Sequence, residues 1–414
     1  MPVESVSTLA PAPKVRKRAA SDQNAAVVAS FLGWTLDAFD YFLVIYCLTA
    51  IGAEFGRSDL EMAFSITLTL AFRPVGAFIF GLLADRYGRR LPLMIDLVFF
   101  SAVEVATAFA PNYSTFLVLR ALFGIGMGGE WGAGASLTME KVPARLRGIC
   151  SGLLNQGYSL GNLLAVLCYF TLFRRWGWRP MFLLGGAPAL LAIFIRLRIK
   201  ESEVWQKTKA HDWTELWRTI FSHWKLFLYI VLLMTFMNLS SHGIGDMYPT
   251  FLQRYWHFDP EKRAIISAIA GVGALCGSII FAWFSDTKGR RRTIVAGLLL
   301  GIAMIPLWAL APNLTLLVIG AFLINFMIQG SWGVIPVHLA ELSPDSIRGF
   351  LPGFAYQCGV LLSSSIVMIQ ALLARHMSYP ATMAITAGVV FSGGCIVAGL
   401  GKESRGRVFG AGTD

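Results

Sequence analysis

Apolar runs of twenty or so residues recur from one end of this sequence to the other, and that recurrence limits the fold more than any other feature. The run Met62–Ala84 is hydrophobic almost all round. At 1.5 Å of rise per residue it is long enough to cross roughly 30 Å of hydrocarbon. A soluble chain of this length would show a polar face on most of its helices. Composition agrees, with 56% hydrophobic and only 14% charged residues, and 41 glycines that suit close helix contact in lipid. Lipid leaves no water for backbone N–H and C=O groups, so runs of this kind must be helices. The fold class is therefore all-α and polytopic. Hydropathy predicts twelve transmembrane helices, at 25–53, 62–84, 91–110, 114–139, 148–172, 180–198, 224–252, 263–285, 292–311, 314–340, 349–374 and 380–400.

The net charge of +11 would suggest nucleic acid as a partner in a soluble protein. Here the basic residues sit in short connections: Arg86, Arg89 and Arg90; Lys141, Arg145 and Arg147; Lys288, Arg290, Arg291 and Arg292. Such charges orient a membrane chain, and they place both termini in the cytoplasm of a plasma (inner) membrane protein. The opposite connections carry Arg174, Arg175, Arg179, Arg254, Lys262 and Arg263, but share them with acids. The predicted organisation is a basic tail (1–23), a first six-helix bundle (24–198), a polar central loop (199–223), a second bundle (224–400) and a final tail (401–414). No cleavable signal peptide is expected, because the first apolar run is too long for one. The six cysteines lack metal-ligand spacing, no phosphate-binding loop is present, and no nucleophile–base arrangement can be argued. The expectation is neither an enzyme nor an ATP-driven pump, with no cofactor and no metal.

The chain also repeats itself. "GLLADRYGRR" at 81–90 answers to "AWFSDTKGRR" at 282–291, and "EKVPARLRG" at 140–148 to "ELSPDSIRG" at 341–349. "APN" recurs at 110 and 311, and "EWG" at 130 answers to "SWG" at 331. The offset is 201 in every case (282 − 81), so the halves are structural copies. The twelve spans, the duplication and above all the loop "GLLADRYGRR" resemble the major facilitator superfamily. That resemblance implies two pseudo-symmetric six-helix bundles. It implies too that Asp85, ending the second span, is a gating residue: it would accept hydrogen bonds from a helix N-terminus of the other half and pair with Arg89 or Arg147. Asp286, Arg290 and Arg348 are the counterparts of Asp85, Arg89 and Arg147 in the second half.

Ionisable groups inside the spans are the remaining anomaly, because each costs at least about 2.5 kcal/mol at mid-membrane. Asp37 and Asp40 lie in the first span, in "GWTLDAFDYF". Their equivalents in the seventh are Asn238 and Ser241, with His242 beside them. Gln156 and Gln357 form another equivalent pair, flanked by Asn155 and Tyr356. In a pseudo-symmetric molecule such positions face one central cavity. Arg73 lies twelve residues before Asp85, too deep to snorkel, and needs an anion. Asp37 or Asp40 could supply it, as a permanent internal pair, or a carboxylate ligand could. His242 and Asp246, four apart, share a helical face and could carry a proton; the Asp37/Asp40 pair is a rival. Glu104 is expected to bond a neighbouring helix, and Glu130 to sit near the cavity. Trp131 and Trp332 are equally suited to lining that cavity or packing. The glycines of "GIGMGGEWGAG" permit close helix contact and are a weak phosphate signal.

"GWTLDAFDYF" followed by Arg73, "GMGGEWG" and "NLSSHGIGDMYPT" resemble the sialate:proton symporter family, whose branch also holds lactate and pyruvate permeases. Asn238, Ser241, His242, Asp246 and Thr250 match that family's seventh-span motif, whereas Ile244 and Gly245 depart from it. The resemblance implies proton-coupled symport of a small monocarboxylate, with the substrate held by Arg73, Asn238, His242, Gln156, Gln357 and Tyr356, and protons handled by Asp37, Asp40, His242 and Asp246. Sialic acid and aromatic-acid:proton symporters are alternatives, and a carboxylate receptor that does not transport is the alternative from another class. The implied partners are a small organic acid, protons and the lipid bilayer; no nucleic acid is expected, and a monomer suffices.

Overall fold

A computed structural model describes residues 13–411 of the chain. Residues 1–12 of the expected basic tail and 412–414 of the final tail lie outside the described residues. Every described element is helical. The first half is built from Ser21–Phe55, Asp59–Tyr87, Arg90–Ala108, Tyr113–Lys141 and Arg147–Cys168, then a sixth crossing broken into Arg179–Leu184 and Pro188–Arg198. The second half comprises Trp224–Gly245 with Tyr248–Arg254, Pro260–Lys288, Arg290–Ala309, Leu314–Leu342, Leu351–Ser363 with Ile366–Leu373, and Tyr379–Leu400. This is the expected twelve-helix arrangement. Nine of the helices among the described residues are long and apolar enough to span a membrane on composition alone. Of the other three, the fourth is diluted by glycines, Arg120 and Glu130, the fifth by Asn155, Gln156 and Asn162, and the sixth is interrupted at Gly185-Gly186-Ala187.

The molecule is apolar outside and polar within. Leu190, Ile193, Val389 and Ile396 are exposed, whereas Asp37, Asp40, Arg89, Arg120 and Gln357 are fully buried. That inversion is what lipid as solvent requires.

Local chemistry explains where helices begin. The two "APN" motifs are N-caps: Asn112 Oδ1 accepts from the Thr115 N–H at 2.9 Å, and Asn313 Oδ1 from the Leu316 N–H at 3.0 Å. Ser58 and Asp259 cap the second and eighth spans likewise. The glycine of each "GRR" loop, Gly88 and Gly289, has φ of +104°, a backbone state L side chains avoid. Behind those turns, Glu201 accepts from the Arg89 and Arg90 N–H groups at 2.9 and 3.1 Å, and Glu403 from the Arg290 N–H at 2.8 Å. A carboxylate thus caps the third span and another the ninth.

The glycines of the fourth span have a packing role, which disposes of the phosphate reading. A Cβ on Gly128 would lie 1.9 Å from the Arg73 carbonyl oxygen, and one on Gly124 would lie 2.3 Å from that of Thr69. The contact is duplicated: a Cβ on Gly76 would meet Ile125 O at 1.7 Å, and one on the equivalent Gly277 would meet Phe326 O at 2.0 Å. Backbone on backbone leaves nothing to yield. Gly128→Val therefore destabilises the protein by about 3 kcal/mol or more; thermal melting and monodispersity after extraction check it. The second span, and Arg73 with it, holds its depth through this contact.

Candidate functional site

One cavity of about 350 Å³ lies where the two halves meet. Arg73, Asn155, Gln156, Asn238, Ser241, His242, Asp246 and Tyr356 all line it, so both halves contribute, as the 201-residue offset implies. Its walls are aromatic: Trp34, Tyr41 and Tyr158 on one side, Trp332 and Tyr356 on the other. Trp332 is a lining residue, while Trp131 stacks behind Tyr356 with ring centroids 4.7 Å apart.

Arg73 is the strongest feature of this cavity. Its side chain is 4% exposed, and its Nε and Nη2 have no hydrogen-bond partner. Among the described residues it forms no ion pair, so of the two anions considered from sequence, the internal one, Asp37 or Asp40, is not paired with it. The Tyr356 ring has its centroid 6.0 Å from the guanidinium carbon, and the Tyr356 side chain hydrogen-bonds Arg73. A buried guanidinium with unsatisfied N–H groups at a cavity wall can hydrogen-bond an anion. On the facing half, His242 Nδ1 and Asp246 Oδ2 are 3.0 Å apart, the i,i+4 contact expected of them, and both side chains are 44% exposed. They stand at the end of the seventh span away from the termini, so the cavity opens on that face. Gln329 Nε2 donates to Ser241 Oγ at 2.8 Å, fixing the hydroxyl.

Three predicted residues stand off the cavity. Trp34 and Tyr41, seven apart, form its stripe on the first span, and the helical rotation turns Asp37 and Asp40 toward the spans behind. There the electrostatic neighbours of Asp37 include Arg73, Glu104, Asp96 and Glu130, and those of Asp40 include Glu104, Asp37 and Arg120. All four carboxylate oxygens of Asp37 and Asp40 are buried without a hydrogen-bond partner. Gln357 is turned away for the same reason: Tyr356 faces the cavity and its neighbour lies about 100° round the helix. Glu104 does bond the adjacent helix, accepting from Arg120 Nη1 at 2.9 Å. Glu130 lies against a separate void of about 10 Å³ beside Ser30 and Trp131, not the main cavity.

The face carrying the termini is closed by two equivalent networks. Asp85 accepts from the Gly349 N–H at 2.7 Å and the Phe350 N–H at 2.9 Å, at the start of the eleventh span, and pairs with Arg89. Asp286 accepts from the Gly148 N–H at 3.1 Å and from Arg290 at 2.7 Å. Arg147 takes no part in the first latch, against one of the two options read from sequence. It reaches Glu341, at 3.7 Å, which also binds Arg290 at 3.0 Å. Symmetrically, Arg348 lies 3.3 Å from Glu140, which binds Arg89 at 3.0 Å. Each glutamate thus joins an arginine of its own half to one of the other.

Glu140 and Glu341 were missed by sequence reasoning although each opens a repeated loop, and the repeat itself was the signal. Gln329, Tyr41 and Tyr158 were missed too. Gln329, a lone amide in an apolar run near Trp332, could have been found; nothing in the sequence separates cavity tyrosines from packed ones.

Comparison with known proteins accords with this geometry. The carboxylic acid transporter protein homolog of Saccharomyces cerevisiae is 29% identical over 437 residues, covering 95% of this chain and 71% of that protein. The sialic acid transporter NanX of Escherichia coli is 28% identical, covering 81% and 84%. Among solved structures, the proton:xylose symporter XylE superposes with a TM-score of 0.74 at 18% identity, over 94% of this chain and 98% of that one, which speaks for the fold alone. The model for "Sugar (and other) transporter" matches residues 203–410. The "Major Facilitator Superfamily" model matches residues 30–259, more than half of the sequence, and the chain belongs to that family.

Proposed function

We propose that the protein is a secondary active transporter that carries a carboxylate anion together with protons, by rocking its two halves around the central cavity. The observation that carries this reading is Arg73: buried, in no ion pair among the described residues, with Nε and Nη2 unsatisfied, and at the cavity wall. Asn238, Gln156, Tyr356 and His242 stand around the same space and are assigned to the rest of the substrate. Gln357, one layer out, is assigned a supporting position behind Tyr356. His242 and Asp246 are the first proton carriers, because they are exposed to the open side and bonded to each other. Asp37 and Asp40 would be costly as two ions in their apolar setting, which suits groups that exchange a proton during the cycle. The six gate residues Asp85, Arg89, Arg147, Asp286, Arg290 and Arg348 hold the closed face shut in this conformation. Its basic loops support a cytoplasmic assignment for that face, in an inner membrane, and a monomer is our reading of the working unit.

Relatives named for carboxylic acid, sialic acid, niacin and muconate transport support an organic acid as substrate. A small monocarboxylate such as lactate or pyruvate is our first assignment, following the seventh-span motif. A ring-bearing acid is the second reading, favoured by the aromatic walls and by a volume of about 350 Å³. A thermal-shift screen against lactate, pyruvate, sialate and benzoates ranks them. Proteoliposomes with an imposed pH gradient then test coupling. One unit of gradient accumulates substrate about tenfold in a one-proton symporter; counterflow without any such accumulation would sink the proton assignment. Asp246→Asn is expected to retain counterflow and lose that tenfold accumulation. A receptor with this fold would exchange no label at all.

A further inference from the structure

We propose that the segment after the last span is a working part of the gate, with Phe409 acting as a clamp that holds the two halves together on the face of the termini. This goes beyond the transport reading and does not depend on which acid is carried.

Arg147 and Arg348 stand at equivalent positions in the two halves, 201 residues apart (348 − 147). Their local settings match: Arg147 Nε donates to Met139 O at 3.1 Å, and Arg348 Nε to the equivalent Ala340 O at 2.9 Å. The Phe409 ring centroid lies 3.6 Å from the guanidinium carbon of Arg147 and 3.7 Å from that of Arg348. Two guanidinium groups that close to one centroid cannot share a face, so the ring is stacked between them. The ring is 9% exposed. Both faces of a phenyl ring are electron-rich, and each is occupied by a desolvated cation.

The segment is fastened on both sides of the seam. Arg147 Nη1 donates to Arg407 O at 2.7 Å, tying it to the first half. The Gly410 N–H donates to Asp345 Oδ2 at 2.6 Å, and Arg407 Nη1 to Ser343 O at 3.1 Å, tying it to the second. Asp345 in turn pairs with Arg348. Rocking that opens this face must draw Arg147 and Arg348 apart, and one ring cannot then touch both. The stacked ring therefore stabilises the closed face specifically. Between them, Glu140 and Glu341 neutralise charge, and Phe409 fills the space where two arginines would otherwise confront one another.

Deuterium exchange on the full-length protein tests this, because the Gly349 and Phe350 N–H groups are held by Asp85 and the Gly148 N–H by Asp286 only while this face is shut. Phe409→Ala is expected to speed exchange at these amides about tenfold. Phe409→Leu, which keeps an apolar side chain without a π face, should do the same. Phe409→Tyr, which keeps the face, should exchange at the wild-type rate. Amides inside the third and fourth spans should not change in any of the three. The clamp is refuted by wild-type exchange in the Ala or Leu variant, by Tyr behaving as Ala does, or by exchange rising equally in the third and fourth spans, which would mean general loosening.

Discussion

Arg73→Gln abolishes uptake while the protein still reaches the membrane. A charge-assisted hydrogen bond to a carboxylate contributes about 1.5–3 kcal/mol, so each of two such bonds lost weakens binding by roughly 10–100-fold. The variant should melt no lower than the wild type, because it removes a buried guanidinium whose Nε and Nη2 have no partner. This pairing separates a binding residue from a structural one. An arginine that held the fold together would lose stability on replacement; one that waits for an anion loses only binding. Arg73→Lys should recover a minority of the uptake, since an ammonium keeps the charge but not the two parallel donors. Uptake assays with radiolabelled acid, beside melting curves of the purified variants, check all three outcomes. Normal uptake by Arg73→Gln would defeat the assignment.

Glu140→Gln has the larger structural consequence. This side chain is the common partner of Arg89, at 3.0 Å, and Arg348, at 3.3 Å, and all three side chains are fully buried. Breaking a buried pair by removing one partner costs about 3–5 kcal/mol, because the charge left behind has lost both water and counter-ion. Here two arginines are left, one from each half, each keeping one carboxylate, Asp85 for Arg89 and Asp345 for Arg348, so the cost lies at the low end of that range. The melting temperature should fall by about 3–5 °C. The face carrying the termini should also open, since the only carboxylate that bridges Arg89 to Arg348 among the described pairs is gone. Adding Arg348→Gln to Glu140→Gln should restore part of the loss, the non-additivity expected of groups in one network. A full, independent second loss would show that the two side chains are not coupled. Asp286→Asn should be milder, as the Asp286 side chain is 11% exposed and water can share its role.

The same residues show how far sequence reasoning reached. The duplicated loops were legible because turns, caps and latches repeat letter by letter: "APN" twice as an N-cap, "GRR" twice after a glycine of positive φ. His242 and Asp246 were legible as a pair because i,i+4 spacing settles contact within one helix. Arg73 was legible as an anomaly, but its lack of an internal anion was not. Whether Asp37 reaches it depends on how the first span is rotated against the second, and one residue of rotation moves a side chain by about 100°. Asp37, Asp40 and Gln357 stand off the cavity for that reason, and Tyr41 and Tyr356, each beside one of them in sequence, take the inward positions. Of the two partners offered for Asp85, Arg89 is the one it takes, and Arg147 bridges instead to a glutamate of the other half, a contact between segments almost two hundred residues apart.

By itself the sequence determined what local rules can determine: a helical membrane protein of two copied halves, with polar groups buried in its spans and hydrogen-bonded turns at its ends. Lipid permits so few backbone arrangements that hydropathy, caps and repeats suffice for this much. Only the tertiary structure decided which of the buried polar groups share the cavity, which glutamate closes on which arginine, and where the final segment lies. Those depend on helix rotation and on contacts across the seam between the halves, set by backbone-to-backbone packing at glycines such as Gly76 and Gly128 rather than by any pattern along the chain.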